Sequence, residues 1–234
     1  MSIFVTFSQL RDMTVNLHFF SFPVNLIAGL CMVFAGWKLR RFLSDTHMTV
    51  ALVLLIAAVA VQGFMPINAS FTRSWPFVIV LVWFLTVLAS RLFRKFSPAG
   101  FGLWLTLWAG MLGSADSSIT QVLLPRDKTV RTVLPFDMQL EDFSVSYYQT
   151  GEPMEYRARI SIRDTDRPAA VSKTLRVNHP VHYRGYQVYL MDYDTSKDHE
   201  SQYCIVMVTR QPWRWLVLAG ILILLAGALK TFIL

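Results

Sequence analysis

YCIVMVTRQPWRWLVLAGILILLAGALKTFIL, residues 203–234, joins two kinds of structure in one stretch. Tyr203–Thr209 is a short run rich in β-branched residues, which reads as a strand. Trp213–Leu234 is apolar throughout and long enough to cross a bilayer, which takes about 20 mostly apolar residues. Its only charges, Arg214 and Lys230, lie near its ends, where long side chains reach the membrane interface. A strand that runs almost directly into a spanning helix puts a β domain next to a membrane anchor. The expected fold class is therefore an α+β membrane protein: transmembrane helices with an extracytoplasmic antiparallel β domain inserted before the last helix.

Upstream of this junction the same two textures recur in separate blocks. Leu17–Trp37 and Met48–Met65 are uncharged and apolar, Trp75–Ser90 extends through Phe93, and Phe96–Ala115 is uncharged and Gly-rich. Residues 1–115 are thus expected to hold four transmembrane helices (about 17–37, 48–65, 75–93 and 96–115). Residues 116–211 form the β domain, and 212–234 the final helix. An interfacial or re-entrant segment is the competing reading of 96–115, given its glycine content. The whole chain is 54% hydrophobic and only 16% charged, against about 25% charged for a soluble domain.

The net charge of +7 is unevenly placed. The stretch 116–211 holds 12 basic and 13 acidic residues, which leaves 10 basic and 2 acidic residues around the apolar spans. A nucleic-acid binder would carry its basic stripe on the soluble part, so nucleic acid is not an expected partner; the lipid bilayer is. Lys38, Arg40 and Arg41 separate the first two spans, and Arg91, Arg94 and Lys95 the third and fourth; only Arg11 precedes the first span, and only Arg73 lies between the second and third. Cytoplasmic loops carry the excess of Lys and Arg. This places the N-terminus and the β domain outside and the C-terminus inside, in a multi-pass protein of the cell (inner) membrane. The N-terminal MSIFVTFSQLRDMTVN has neither the charged opening nor the cleavage site of a secretory signal.

Within 116–211, alternation marks Phe143–Tyr148 and Tyr156–Ile162 as strands, with Thr174–Asn178 and Gly185–Tyr189 as further candidates. The breaks at 150–153, 164–168 and His179-Pro180 carry turn residues. Short strands so spaced suggest an antiparallel sandwich or open barrel.

Catalytic templates are absent: no phosphate loop, dinucleotide fingerprint, zinc-protease helix or nucleophile elbow occurs. No catalytic residue and no metal site is expected. The scattered carboxylates among arginines read as a solvated face. Cys31 lies in a span and Cys204 in the β domain, at depths too different for a disulfide, and no CxxC occurs. Of the five histidines, His18 stands at the outer end of the first span and His47 at the inner end of the second. His179, His182 and His199 are in the β domain. Histidine is a metal and haem ligand, but the common role of each is a hydrogen-bonded loop residue. His179 and His182, three apart around a proline, have too weak a spacing to define a metal site.

Leu175–Asp194, LRVNHPVHYRGYQVYLMDYD, reads physically as strand, turn and strand. This run resembles the ResB family (also called CcsB) of system II cytochrome c maturation, through Val177, Asn178, Pro180, Tyr183, Gly185, Tyr189 and Tyr193. Leu134–Tyr148 is similar to the family's first outer strands, and Phe101–Asp116 to its last span before them. The likeness runs from about Met48 to the end of the chain. It implies a subunit that pairs with a CcsA-type membrane protein, the two together passing haem across the membrane and joining it to the CxxCH of apocytochrome c. Haem would be bound mainly by or with the partner, and this chain would be a scaffold rather than a stand-alone enzyme. In the family, the span before the outer domain usually opens with a histidine regarded as a haem ligand; Gly100 stands at that position here. His47, at a similar depth, and His18 are then the candidate haem-binding residues. The alternative function is a membrane-anchored extracytoplasmic binding module without haem chemistry.

Overall fold

The computed structural model describes residues 20–64, 74–164, 170–194 and 201–233. The chain divides into two compact units, Met1–Asp116 with Pro212–Leu234, and Ser117–Gln211.

The first unit is helical. Its described helices are α1 (Val24–Leu39), α2 (Asp45–Gly63), α3 (Trp75–Arg94), α4 (Pro98–Leu107) and α5 (Arg214–Ile233). Pro76 and Pro98 fall in first turns, where a missing N–H costs nothing. Three helical stretches, Asp45–Gly63, Trp75–Arg94 and Arg214–Thr231, are long and apolar enough to cross a membrane, and α1 is a shorter apolar helix. Half of the apolar window of α3 is buried within the protein, against 11% for α5. α3 is therefore the helix around which α1 and α2 pack, through Phe77, Leu81, Phe84 and Leu85.

α4 continues through a π-helical turn, Trp108–Leu112, and a 3₁₀ turn, Gly113–Asp116. The helical run from Pro98 to Asp116 thus changes its winding twice. α4 and α5 approach closely because glycines face each other. A Cβ on Gly102 would run into the Leu224 amide nitrogen and stand 2.6 Å from the Gly220 carbonyl oxygen, and one on Gly227 would meet the Ala99 backbone. Small residues at such contacts let backbones touch, the usual basis of packing between apolar helices.

The second unit is a β sandwich. β1 (Ser118–Pro125), β6 (Val181–Tyr183), β7 (Tyr186–Tyr193) and β8 (Tyr203–Arg210) form one antiparallel sheet in the order β1-β8-β7-β6. β2 (Thr129–Val130), β3 (Phe136–Tyr147), β4 (Pro153–Asp164) and β5 (Ala170–Arg176) form the other, in sequence order. The inner faces share one core. Leu124, Val188, Cys204 and Val206 meet Phe136, Met138, Leu140, Ile160, Ile162 and Leu175, all fully buried. Ser118 pairs with Arg210, so the two ends of the inserted unit lie side by side. Insertion at one point of a helical chain requires this proximity.

Strand boundaries differ from the expectation. The stretch read as a strand over 143–148 belongs to β3, which starts at Phe136, and the one over 156–162 is β4, Pro153–Asp164. The stretch over 174–178 is β5, which ends at Arg176, and the one over 185–189 is β7, which starts at Tyr186. β1, β2 and β6 are additional strands.

Cys204 sits in the sandwich core, and burial pushes its thiol up to about 12. A raised thiol pKa means that the folded state keeps the proton the unfolded state gives up near 9.0. Its contribution to stability is complete below that pH and is lost as pH rises from there toward 12. Native protein is expected to resist thiol alkylation at Cys204 at pH 8, and protein unfolded in denaturant to react there. Mass spectrometry of the Cys204 peptide checks this; equal labelling of Cys204 before and after unfolding would contradict the buried placement.

Candidate functional site

The run singled out in the sequence is the corner at which the chain passes from one sheet to the other. β5 is the edge of its sheet and β6 the edge of the other. Val177 and Asn178 make the turn between them, closed by the His179 amide donating to the Arg176 carbonyl at 3.1 Å. Asn178 takes φ 62°, a left-handed conformation that asparagine tolerates better than most residues. Pro180 follows, where no ladder donor is needed. Arg184 and Gly185, at φ 47° and 82°, then form a two-residue hairpin between β6 and β7, with Tyr183 opposite Tyr186. Two successive positive φ values are the requirement of the tightest hairpin turn, and glycine meets it without steric cost.

The tyrosines clamp the sheets together. Tyr183 and Tyr186 stand edge-on to Phe136 of β3, at centroid distances of 5.3 and 5.4 Å. Tyr193 stacks on Phe143 at 4.9 Å and lies 4.9 Å from Tyr156. The Tyr183 hydroxyl donates to Asp164 Oδ1 at 2.9 Å, and Arg184 Nη1 reaches the same oxygen at 3.2 Å, so this buried carboxylate has two partners. Tyr189 is on the outer face, its hydroxyl donating to Gln187 Oε1. His182 ring nitrogen Nε2 lies 3.1 Å from Gln187 Nε2, and His179 belongs to the corner turn. Between the turns lies β6, so 178–185 is two turns around a short strand.

A second constellation, not singled out from the sequence, stands in the helical unit. Asp116 closes the run that begins at α4. Its Oδ1 accepts from the Phe22 amide at 2.8 Å, and its Oδ2 from Asn25 Nδ2 at 2.8 Å and Trp213 Nε1 at 2.5 Å. One carboxylate therefore joins the start of α1, the end of the α4 run and the entry to α5. Beside it, Trp108 stacks on Trp104 at 5.5 Å and meets Trp213 edge-on at 5.3 Å. The Trp108 indole N–H donates to the Asn25 carbonyl and that of Trp104 to the Leu85 carbonyl, so both buried rings have polar partners. Gly29 leaves the room that the Trp108 ring fills. The signal available in the sequence was a lone carboxylate ending an uncharged span.

The candidate haem residues fall as follows. His18 and His199 lie outside the described residues. His47 is the third residue of α2, exposed, and caps the helix: its Nδ1 lies 2.8 Å from Ser44 Oγ and accepts from the Ser44 amide at 3.2 Å. An Nδ1 that accepts from a backbone N–H leaves the proton of a neutral ring on Nε2. Ligation of iron through Nε2 therefore requires His47 to give up this cap. Gly100 lies in the first turn of α4, where an added Cβ would stand 3.2 Å from Leu92 Cδ2. Among the described residues no three His, Cys, Asp or Glu side chains come together as a metal set.

Apolar helices of spanning length joined to an inserted sandwich define a helical membrane-type protein with a β domain. The chain belongs to the ResB-like family, which matches residues 46–207, from the start of α2 into β8. The chloroplast cytochrome c biogenesis protein CCS1 of Arabidopsis thaliana is 30% identical over 76 residues, 30% of this chain and 14% of that protein's length. A solved structure of the cytochrome c heme lyase CcmF has a TM-score of 0.40 at 11% identity, over 77% of this chain and 33% of that one, a likeness too slight to carry an argument.

Proposed function

We propose that this chain is a cytochrome c maturation subunit of the cell (inner) membrane, acting with a CcsA-type partner in delivering haem and attaching it to apocytochrome c. The observation that carries the reading is the family match across both units, residues 46–207; the likeness to a cytochrome c biogenesis protein supports it. In this reading the β sandwich is a rigid extracytoplasmic platform for the client. The helices carry it in the membrane as five spans, and the lipid-length apolar faces of α2 and α5, rich in exposed Val, Leu and Ile, meet lipid or the partner. The lysine and arginine bias supports an outside β domain. A reporter active only in the cytoplasm, fused after Thr150, is expected to stay silent; an active fusion would reverse the topology.

The chain's own chemistry is confined to positioning. The capped Nδ1 of His47 and the packed surroundings of Gly100 favour a partner that supplies both axial ligands. Co-purification with a CcsA-type protein should therefore yield a haem-containing complex whose absorbance is unchanged by His47→Ala. Loss of haem at constant protein, restored by imidazole, would make His47 a ligand instead. If the purified chain alone attached haem to an apocytochrome peptide, the scaffold role would be wrong.

A further inference from the structure

The outer face of the second sheet carries an arginine patch that the fold does not require. Two cross-strand rows lie next to each other on this face. Ser144, Arg157 and Arg176 stand opposite one another across β3, β4 and β5, and Asp142, Arg159 and Thr174 form the neighbouring row. These six residues line a hollow of about 220 Å³. Two guanidinium groups directly opposite on one face repel and weaken the sheet, so the sequence places here a pair that stability alone disfavours.

The ion pairs around the hollow are one-sided. Arg157 donates from Nε to Glu155 Oε2 at 2.5 Å, with a terminal nitrogen on the same oxygen, while Arg176 faces Glu155 Oε1 across a longer 3.6 Å from Nε. Arg159 faces Asp142 Oδ2 at 3.5 Å, and Arg126 takes the other Asp142 oxygen at 3.3 Å. Four arginines thus share two carboxylates. Among the described residues, no hydrogen bond involves the Arg176 guanidinium or the hydroxyls of Ser144 and Thr174. The hollow combines uncommitted planar donors, two hydroxyls and surplus positive charge, which is the chemistry that holds a carboxylate by paired N–H bonds.

We infer that this hollow is a docking site for a carboxylate side chain of an acidic polypeptide segment. The volume falls below the roughly 300–1,000 Å³ of pockets for drug-sized ligands, so it suits one side chain rather than a macrocycle. The flat sheet around it leaves room for the rest of an extended chain. The inference stands on the β unit alone and does not depend on the maturation role.

The test uses the full-length protein in lipid nanodiscs and a fluorescent peptide alternating Glu and Gly, with its Gln counterpart as control. The Glu peptide should bind and the Gln peptide should not. Arg157→Gln with Arg176→Gln should weaken binding about tenfold or more, the scale of a lost charge-assisted hydrogen bond. Thr174→Glu, which offers the arginines an internal carboxylate without removing them, should block the site equally. Arg163→Gln, on the same strand but outside the hollow, should leave binding unchanged. Undiminished binding by the double variant and by Thr174→Glu would reduce the patch to a solvated face. Saturation by inorganic phosphate that the Glu peptide cannot displace would make it a phosphate site and overturn the polypeptide assignment.

Discussion

Gly102→Ala is expected to remove the chain from the folded membrane fraction. The added methyl would collide with the backbone of α5 at Leu224 and Gly220, and backbone atoms cannot swing aside as a flexible side chain can. α4 and α5 must then separate, and with them the most extensive contact in the helical unit. Overpacking commonly costs about 1–3 kcal/mol, and more when backbone must move, against a total stability of about 5–15 kcal/mol. Size-exclusion profiles in detergent check this. Gly110→Ala, whose Cβ would meet only Val217 Cγ2 at 3.8 Å, should behave as the parent. Equal monodisperse yields for both variants would mean that α4 and α5 do not pack as described.

Asp116→Ala should come next in severity. It strips the acceptor from the Phe22 amide, the Asn25 amide and the Trp213 indole at once, and Asn25 is only 1% exposed. A buried donor left unsatisfied costs about 1–3 kcal/mol. Asp116→Asn should be nearly as harmful, because its amide would present N–H to a donor. Asp45→Ala removes an ion pair to Arg94 in which Asp45 is 79% exposed, and should cost no more than about 1 kcal/mol. Thermal unfolding followed by tryptophan emission separates them. The account fails here if Asp45→Ala and Asp116→Ala unfold together.

Why some of this was legible and some not follows from particular residues. The helix and sheet textures were visible where charge and periodicity change together, as at Arg210–Trp213. β1 escaped because Ile119 and Leu123 are exposed while Val122 and Leu124 are buried, so its apolar residues fall on both faces and the period of two is masked. The change of winding at Trp108–Leu112 lies in a uniformly apolar run, where no pattern distinguishes one helical turn from another. In the tyrosine run the turn residues were readable, since Asn178 and Gly185 hold two of its three positive φ values, the third falling on Arg184. The faces were not. Tyr189 and Tyr193 are four apart and should point the same way, but a register shift between Leu190 and Asp192 turns one outward and the other into the core. Asp116 was not singled out, because its partners are 91, 94 and 97 residues away in the chain. The cap at His47 was within reach, with Ser44 three residues before it, but depth in the membrane drew the reading toward haem.

The central claim is that this chain serves cytochrome c maturation. The most direct measurement is covalent haem in c-type cytochromes, read by haem-dependent peroxidase stain after denaturing electrophoresis. The strain lacks the gene for this chain and retains a CcsA-type partner. The account predicts that the stained bands disappear and that they return with the full-length chain but not with Gly102→Ala. Bands of undiminished intensity in the deleted strain would contradict it.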